Sequence, residues 1–479
     1  MDNSIIQELE ILEKESMKLS FNQDERTEIF DSYQHLASDF LTTLSSKKAF
    51  EKGKSDRDLY TINGWPEDHS KIQATIKNDL FKYGINAASG GHLGYIPGGG
   101  IYTAAIGDYL AAISNAYSGV YYASPGAVEM EMSCINWLKT VFDFPDNAVG
   151  NLTSGGSIAN IIALTAARDH KKLLDGEISS SVVYLTEQTH HSFEKALRLI
   201  GLEKITRRFI LSDENSRMKL DELENQIKLD QKNGLCPQLV VGSAGTTDTG
   251  AVDPLLGIAN LAEKYAMWFH VDAAYGGFFK MVDEAKDKFK GIEKADSLIV
   301  DPHKGLFLPY GSGAVLVKNK EAVLHSNRLM ASYMQDTLDE ETPINPADVS
   351  PELTKHFRAF RMWLPLKIHG VAPFKAALKE KLLLTRYFQE KIKELGFKTG
   401  PKPDLSVTYF WFPFGENQEN EMNHKLLQLC HKDGRVFLSS TSINGRFVIR
   451  MAILSFRTHQ REIEKALEML SDNLKKISI

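Results

Sequence analysis

Apolar residues recur at three- and four-residue steps through "SIIQELEILEKESMKL" and "ERTEIFDSYQHLASDFLTTL", the spacing of helices with one apolar stripe. Residues 1 to about 97 therefore read as mostly helical. They end in "ASGGHLGYIPGGG", whose glycines and proline predict a loop with close backbone approaches. The period then changes. Short apolar runs, "SVVYL", "PQLVVGSA", "MWFHVDAA", "SLIVDP" and "GAVLVK", predict strands. Between them "GGSIANIIALTAARDHKKL", "SFEKALRLIGL" and "PLLGIANLAEKYA" return to helical periodicity. Such alternation predicts an α/β lobe with a mostly parallel sheet buried on both faces. Ligands of such sheets bind beyond the carboxyl ends of the strands.

A second shift comes at "MASYMQDTLDEETPINPADVSPELTK" (330–355), which has three prolines, an acidic cluster and no sustained apolar period. It predicts a mobile excursion. Helical patterns resume in "MWLPLKIHG" and "APFKAALKEKLLLTRYFQEKIKEL", and "VFLSSTSI" and "RFVIRMAI" flank Asn444-Gly445, a two-residue hairpin signal. The C-terminal part is therefore expected to be a small α+β unit. The chain has no internal repeat or low-complexity tract.

Composition narrows the function classes. Over 479 residues the hydrophobic fraction is 43% and the charged fraction 25%, ordinary for a soluble globular protein. A net charge of −6 leaves no electrostatic footprint for nucleic acid or an anionic membrane. No run of about 18 apolar residues predicts a membrane span, and the acidic start "MDNSIIQELEILEKE" lacks a signal pattern. Cys134, Cys236 and Cys430 are too widely spaced to predict a disulfide framework or a zinc site. A cytoplasmic location is expected.

The candidate chemistry stands at the predicted strand ends. Asp272 closes the strand in "MWFHVDAAYGG", where a lone carboxylate is costly to bury without a partner. It reads either as a turn cap or as the partner of a cationic ring nitrogen. Lys304, in "VDPHKGL", stands at the end of the following strand, and a lysine screened from water can condense with an aldehyde as a Schiff base. "TSGGSIAN" (153–160) sits at a loop-to-helix junction. There the amides around Gly155 and Gly156, with the Ser157 hydroxyl, form a possible phosphate cradle. In "TEQTHHSFEKA", Ser192 is placed to cap a helix. The histidines before it, His190 and His191, read as structural groups, metal ligands or a flat cover for an aromatic cofactor. No second cluster has metal-ligand spacing, so no metal is expected. "GSAGTTDTG" (242–250) reads as a polar turn or as hydroxyls for a ring or carboxylate. Phosphate, ring face, pyridinium nitrogen and aldehyde together specify pyridoxal phosphate.

At these residues the chain resembles the group II pyridoxal-phosphate decarboxylases, the family of aromatic-L-amino-acid and glutamate decarboxylases. The resemblance runs from about Leu80 to the C-terminus. "HVDAAYGG" followed by "DPHKG" is similar to the family's lysine module, and "TSGGSIANIIALTAARD" to its phosphate segment. It implies an aspartate-aminotransferase-type (fold type I) α/β architecture with a mostly parallel seven-stranded sheet in the large domain. The implied domains are a helical N-terminal dimerisation segment (1–97), a large cofactor-binding domain (98–355, with a mobile catalytic loop at 330–352) and a small α+β domain (356–479). A homodimer with sites at the subunit interface is implied too, with Tyr121 or Tyr122 reaching across it.

By the same resemblance Lys304 carries pyridoxal 5′-phosphate as a covalent aldimine, Asp272 binds the pyridine nitrogen and His190 stacks on the ring. Gly156 and Ser157 take the phosphate region, while Thr247, Ala274, Asp301 and His303 match further cofactor contacts. Tyr333 matches a loop tyrosine that closes over the substrate and protonates the carbanion, and a tyrosine there favours decarboxylation over aldehyde formation. Arg450 matches a C-terminal arginine whose role stays open beside a structural ion pair. At the pocket mouth Tyr95-Ile96-Pro97-Gly98 stands where aromatic decarboxylases have Tyr-Phe-Pro-Thr, so Tyr95, Ile96 and Gly98 are the expected substrate contacts. Gly305 replaces a tryptophan, which implies a roomier or reshaped site. The expected reaction is decarboxylation of an aromatic L-amino acid to carbon dioxide and a primary amine. The alternatives are a glutamate-like or aliphatic substrate, aldehyde formation or another reaction on the same scaffold, and a pseudoenzyme acting as a binding module.

Overall fold

The computed structural model describes residues 3–328, 343–415 and 418–477. They form two compact units, Met1–Asn86 and Ala87–Ile479. In the first unit, α1 (Asn3–Ser16) and α2 (Gln23–Thr43) follow the apolar steps of the sequence. A capping box starts α2: Glu25 N–H donates to Asn22 Oδ1 at 3.0 Å, and Asn22 N–H to Glu25 Oε2 at 2.7 Å, which satisfies two of the donors a helix start leaves orphaned. The rest of this unit is less helical than its sequence predicts. It contains short turns and a two-residue antiparallel pairing of Phe50–Glu51 with Gly84–Ile85. Residues 87–97 belong to the second unit and contain no helix.

The second unit is built on seven strands: β1 (Val149–Thr153), β2 (Ser181–Leu185), β3 (Thr206–Phe209), β4 (Cys236–Ser243), β5 (Trp268–Asp272), β6 (Ser297–Val300) and β7 (Gly313–Val317). Their order is β1-β7-β6-β5-β4-β2-β3. Only β7 runs against its neighbours, so the other six strands point the same way and end at one edge. Alternate residues enter two cores: Val182, Val240, Phe269 and Leu298 on one face, Val183, Val241, Trp268 and Ile299 on the other. Burial on both faces explains why these strands read as continuous apolar runs. Two helices on the second face matter for the site: α3 (Gly156–His170) follows β1, and α4 (His191–Leu199) follows β2. Strands β1 and β3 were not foreseen, because "VGNLT" and "TRRF" mix polar residues into what would be an apolar run.

The C-terminal region carries a four-stranded antiparallel sheet with the foreseen hairpin. Asn444 and Gly445 have φ of +50° and +77°, the conformation that favours Asn-Gly in tight hairpins. The expected mobile excursion is packed where it is described. Asn345 Oδ1 accepts the Tyr121 N–H at 2.7 Å, and the Pro346 carbonyl accepts from Asn151 Nδ2 at 2.9 Å.

Within this unit His92 is 3% exposed, and burial pushes its imidazole down to about 4. The unfolded chain binds this proton near pH 6.5, while the folded chain resists it. The stability His92 contributes is therefore complete above pH 6.5 and is lost as pH falls toward 4. A His92→Phe variant should gain on the wild type by about 1.4 kcal/mol per pH unit across that window, read from paired urea midpoints. A constant difference over the range would contradict the burial argument.

Candidate active site

The parallel strand ends bring most of the expected residues to one cavity of about 410 Å³. Gly156, Ser157, His190, Thr247, Asp272, Ala274, Asp301, His303 and Lys304 all line it. The strand β6 stops at Val300, and a single helical turn, Pro302–Gly305, follows Asp301, with Pro302 in its first position. Proline suits that position because its missing N–H would be unpaired there anyway. The turn brings Lys304 Nζ back to 3.0 Å from Asp301 Oδ2. The main-chain N–H of His303 and its Nδ1–H both donate to the Ser312 carbonyl, at 3.1 and 2.6 Å. His303 is thus anchored to the chain that enters β7.

Asp272 stands where β5 ends. Its Oδ1 accepts the Ala274 N–H at 3.0 Å, and Asn160 also reaches the carboxylate. Burial pushes this carboxyl up, partly offset by the Ala274 amide and the charge of Lys304. A carboxylate so placed at a cavity wall is short of positive charge, and a protonated pyridine nitrogen would supply it. On β1, Thr153 leads into Gly155, whose φ of +153° only glycine adopts readily, and α3 begins at Gly156. A Cβ on Gly156 would lie 3.2 Å from Asp301 Oδ2, so the chain passes there with only its backbone. His190 caps α4, its Nδ1 accepting the Ser192 N–H at 3.3 Å. Burial, then the neighbouring His191 and Lys304, push the His190 imidazole down to about 4. These groups fit pyridoxal phosphate: an amine for its aldehyde, a carboxylate for its ring nitrogen, a flat imidazole, and a helix start for its phosphate.

Other expectations change with the structure. Tyr95, Ile96 and Gly98 do not line the cavity. Tyr95 is exposed with φ +52°, and Ile96 is buried in the core. Gly98 passes so close to the His303 carbonyl that a Cβ would collide with it. Gly98 therefore packs its backbone behind the lysine turn, while the Tyr95 carbonyl accepts from Arg450. Gly305 does not open the site either, because a Cβ there would stand 2.8 Å from the Phe278 ring, which fills that space. Arg450 is neither an ion pair nor free. It donates to the Tyr95, Thr247 and Asp248 carbonyls and to Ser439 Oγ, joining the C-terminal sheet to the β4 loop. Tyr333 lies outside the described residues. Tyr122 is exposed. Ser192, expected as the helix cap, is instead the second residue of α4, because His190 takes the cap position; Ser192 lines the cavity. The sequence reading missed Asn160 behind it. The available signal was helical spacing, since Asn160 follows Ser157 by three residues on α3.

The pyridoxal-dependent decarboxylase conserved domain matches residues 61–412. The aromatic-L-amino-acid decarboxylase of Bacillus atrophaeus is 32% identical over 97% of this chain and 98% of its own length. A phenylacetaldehyde synthase of Petunia hybrida is 28% identical over 85% of each chain. Among solved structures, the Catharanthus roseus tryptophan decarboxylase in complex with L-tryptophan superposes with a TM-score of 0.87 at 22% identity, over 96% of this chain and 99% of that one, a likeness of fold. With the domain match spanning most of its length and a bacterial relative alignable almost end to end, the chain belongs to the pyridoxal-dependent decarboxylase family and is a pyridoxal-phosphate-dependent amino-acid carboxy-lyase.

Proposed function

We propose that this enzyme decarboxylates an aromatic L-amino acid, releasing carbon dioxide and the primary amine, as a cytoplasmic homodimer. The observation that carries the substrate class is the near full-length likeness to an aromatic-L-amino-acid decarboxylase. The site is consistent with it. Among the described residues the cavity lining contains no arginine, and Arg450 is committed to carbonyls, so a second substrate carboxylate finds no bidentate partner there.

When bound, pyridoxal phosphate supplies an electron sink for the bond that breaks as carbon dioxide leaves. Lys304 Nζ would hold its aldehyde, and Asp301 Oδ2, 3.0 Å away, would orient the amine. Asp272 would keep the ring nitrogen protonated. Gly156 and Ser157 would hold the phosphate at the start of α3, with Thr247, Ala274 and His303 packed around the ring and its substituents. His190 would cover one ring face, and either its Nε2 or the hydroxyl of Tyr333 would return the proton to the substrate carbon.

The dimer reading draws support from α1, where Ile5, Leu9 and Leu12 recur at helical spacing and are all exposed. Light scattering of the purified protein at twice the chain mass would uphold it. Free Cys134, Cys236 and Cys430 accord with a reducing compartment.

Incubating the cofactor-loaded enzyme with each common L-amino acid and weighing the products tests the reaction. The expected product is an amine lighter than its substrate by carbon dioxide, from tryptophan, tyrosine, phenylalanine or dopa. An amine formed only from an acidic or aliphatic amino acid would overturn the aromatic assignment. Aldehyde with ammonia would place the enzyme with the aldehyde synthases, and no product from any substrate would favour a binding module.

A further inference from the structure

We infer that a buried relay, Trp268–Ser297–His270–Asn160–Ser192, locks His190 in the tautomer with a bare Nδ1 and a protonated Nε2, which makes His270 a positioning residue for the reaction. The inference rests on the reading that His190 meets cofactor and substrate. Neither His270, Ser297, Asn160 nor Trp268 lines the cavity.

The proton positions follow from hydrogen-bond roles that cannot be exchanged. The Ser192 main-chain N–H can only donate, and it points to His190 Nδ1 at 3.3 Å. That nitrogen therefore carries a lone pair. Ser192 Oγ also lies 2.7 Å from Nδ1, so its hydroxyl must donate, since two lone pairs would repel at that distance. With its proton committed, Ser192 Oγ accepts from Asn160 Nδ2 at 3.1 Å. The asparagine amide is thereby oriented, and its Oδ1 faces His270 Nε2 at 2.9 Å. His270 Nε2 must then carry a proton.

His270 is fully buried, and burial pushes its imidazole down to about 3, so it holds one proton and its Nδ1 is bare. Ser297 Oγ, 2.8 Å from that Nδ1, donates to it and accepts from Trp268 Nε1 at 2.8 Å. An indole N–H can only donate, so the far end of the relay agrees with the direction set at the near end. Asn160, His270 and Ser297 are 0% exposed and Trp268 2%, so the inner part of the relay is screened from bulk solvent.

The strand pattern builds this path. Trp268, His270 and Asp272 alternate onto one face of β5, and His270 sits opposite Ser297 of β6 in the register. Asn160 reaches down from α3 onto that face and also touches Asp272. The same alternation that aims the ring-nitrogen carboxylate therefore also sets the histidine tautomer. On His190, Nε2 has no hydrogen-bond partner among the described residues, so it is the nitrogen left for cofactor and substrate. The titratable groups that face it are His191, Lys304 and Asp301.

Selective 15N labelling of the 14 histidines in the holoenzyme, with long-range proton–nitrogen correlation, reads the tautomers directly. The His190 signals are identified by their loss in a His190→Gln variant. The expected wild-type pattern is a protonated Nε2 and an unprotonated Nδ1 at neutral pH. In His270→Phe the Asn160 amide is free to turn its Oδ1 toward Ser192 Oγ and draw that hydroxyl proton away from His190 Nδ1; only the longer 3.3 Å main-chain bond then holds the tautomer, so the His190 Nδ1 signal should move toward the protonated value. Its kcat should fall by about ten- to a hundredfold, the range seen when an imidazole loses its orienting partner, with KM little changed. His270→Gln, whose amide N–H can stand where Nε2–H stood, should keep the wild-type pattern and most of the activity.

A protonated Nδ1 in the wild type would overturn the inference even if no variant folded. So would a folded His270→Phe with unchanged His190 signals, or equal losses in both His270 variants without any change in those signals. Signals that follow the relay while kcat stays constant would uphold the lock and overturn the positioning role, by removing His190 from the reaction.

Discussion

A Lys304→Ala variant is expected to lose the visible absorption of the bound cofactor's Schiff base together with all measurable decarboxylation. The amine is placed by local geometry: Asp301 precedes the turn, Pro302 starts it, and Lys304 N–H donates to the Asp301 carbonyl at 2.9 Å. No other described lysine lines the cavity, so no neighbouring amine can substitute. Because the side chain ends in the cavity, its removal should leave the fold intact, and small exogenous amines should restore a fraction of the turnover. In the wild type, borohydride reduction followed by proteolysis should place the cofactor mass on the peptide containing Lys304. Retention of both absorption and turnover by the alanine variant would sink the assignment, as would a cofactor adduct on another lysine.

The second large effect is expected at Asp272. Asn keeps the shape of the side chain and can still accept from the Ala274 amide, but it removes the negative charge. In a cavity wall where burial already disfavours that charge, the protonated ring nitrogen of the bound cofactor would keep the carboxylate ionised. Without it, the ring nitrogen has no reason to stay protonated and the electron sink weakens. A fixed charge that stabilises the transition state is worth about 10²–10³ in kcat, or about 2.7–4 kcal/mol. Asp272→Asn should lose that much at saturating cofactor, with a much smaller change in KM. Asp272→Glu should recover part of the loss. Steady-state kinetics of the three proteins decide it, and an asparagine variant within a few-fold of wild type would refute the role.

Much of this site was legible in the chain. Asp272 and Lys304 close two apolar runs, and the strands β5 and β6 end just where those runs predict. The glycines before Ser157 marked the start of α3, and Asn444-Gly445 marked its hairpin. Elements whose residues lack a pattern were invisible: β1 and β3 are the two edge strands of the sheet, each with a single neighbour, and they carry polar residues rather than an apolar run. Tyr95, Ile96 and Gly98 lie outside the lining of the lysine cavity for a different reason. Proximity to a motif in a related sequence does not say which side of the lysine turn a loop passes, and here its backbone packs behind His303.

The sequence by itself determined the local conformations and the kinds of chemistry on offer: where strands stop, which helix is capped, and which amine and carboxylate stand at their ends. Those depend on dihedral preferences and on periods of two and 3.6 residues, all contained within a few positions. Only the tertiary structure decided the partners. His270 meets Asn160 across 110 residues, and Arg450 meets the Thr247 carbonyl across 203. Phe278 rather than solvent fills the space beside Gly305. Such contacts are set by strand order and register, and no local pattern encodes them, because a hydrogen-bond donor is the same donor whichever distant acceptor the sheet brings to it.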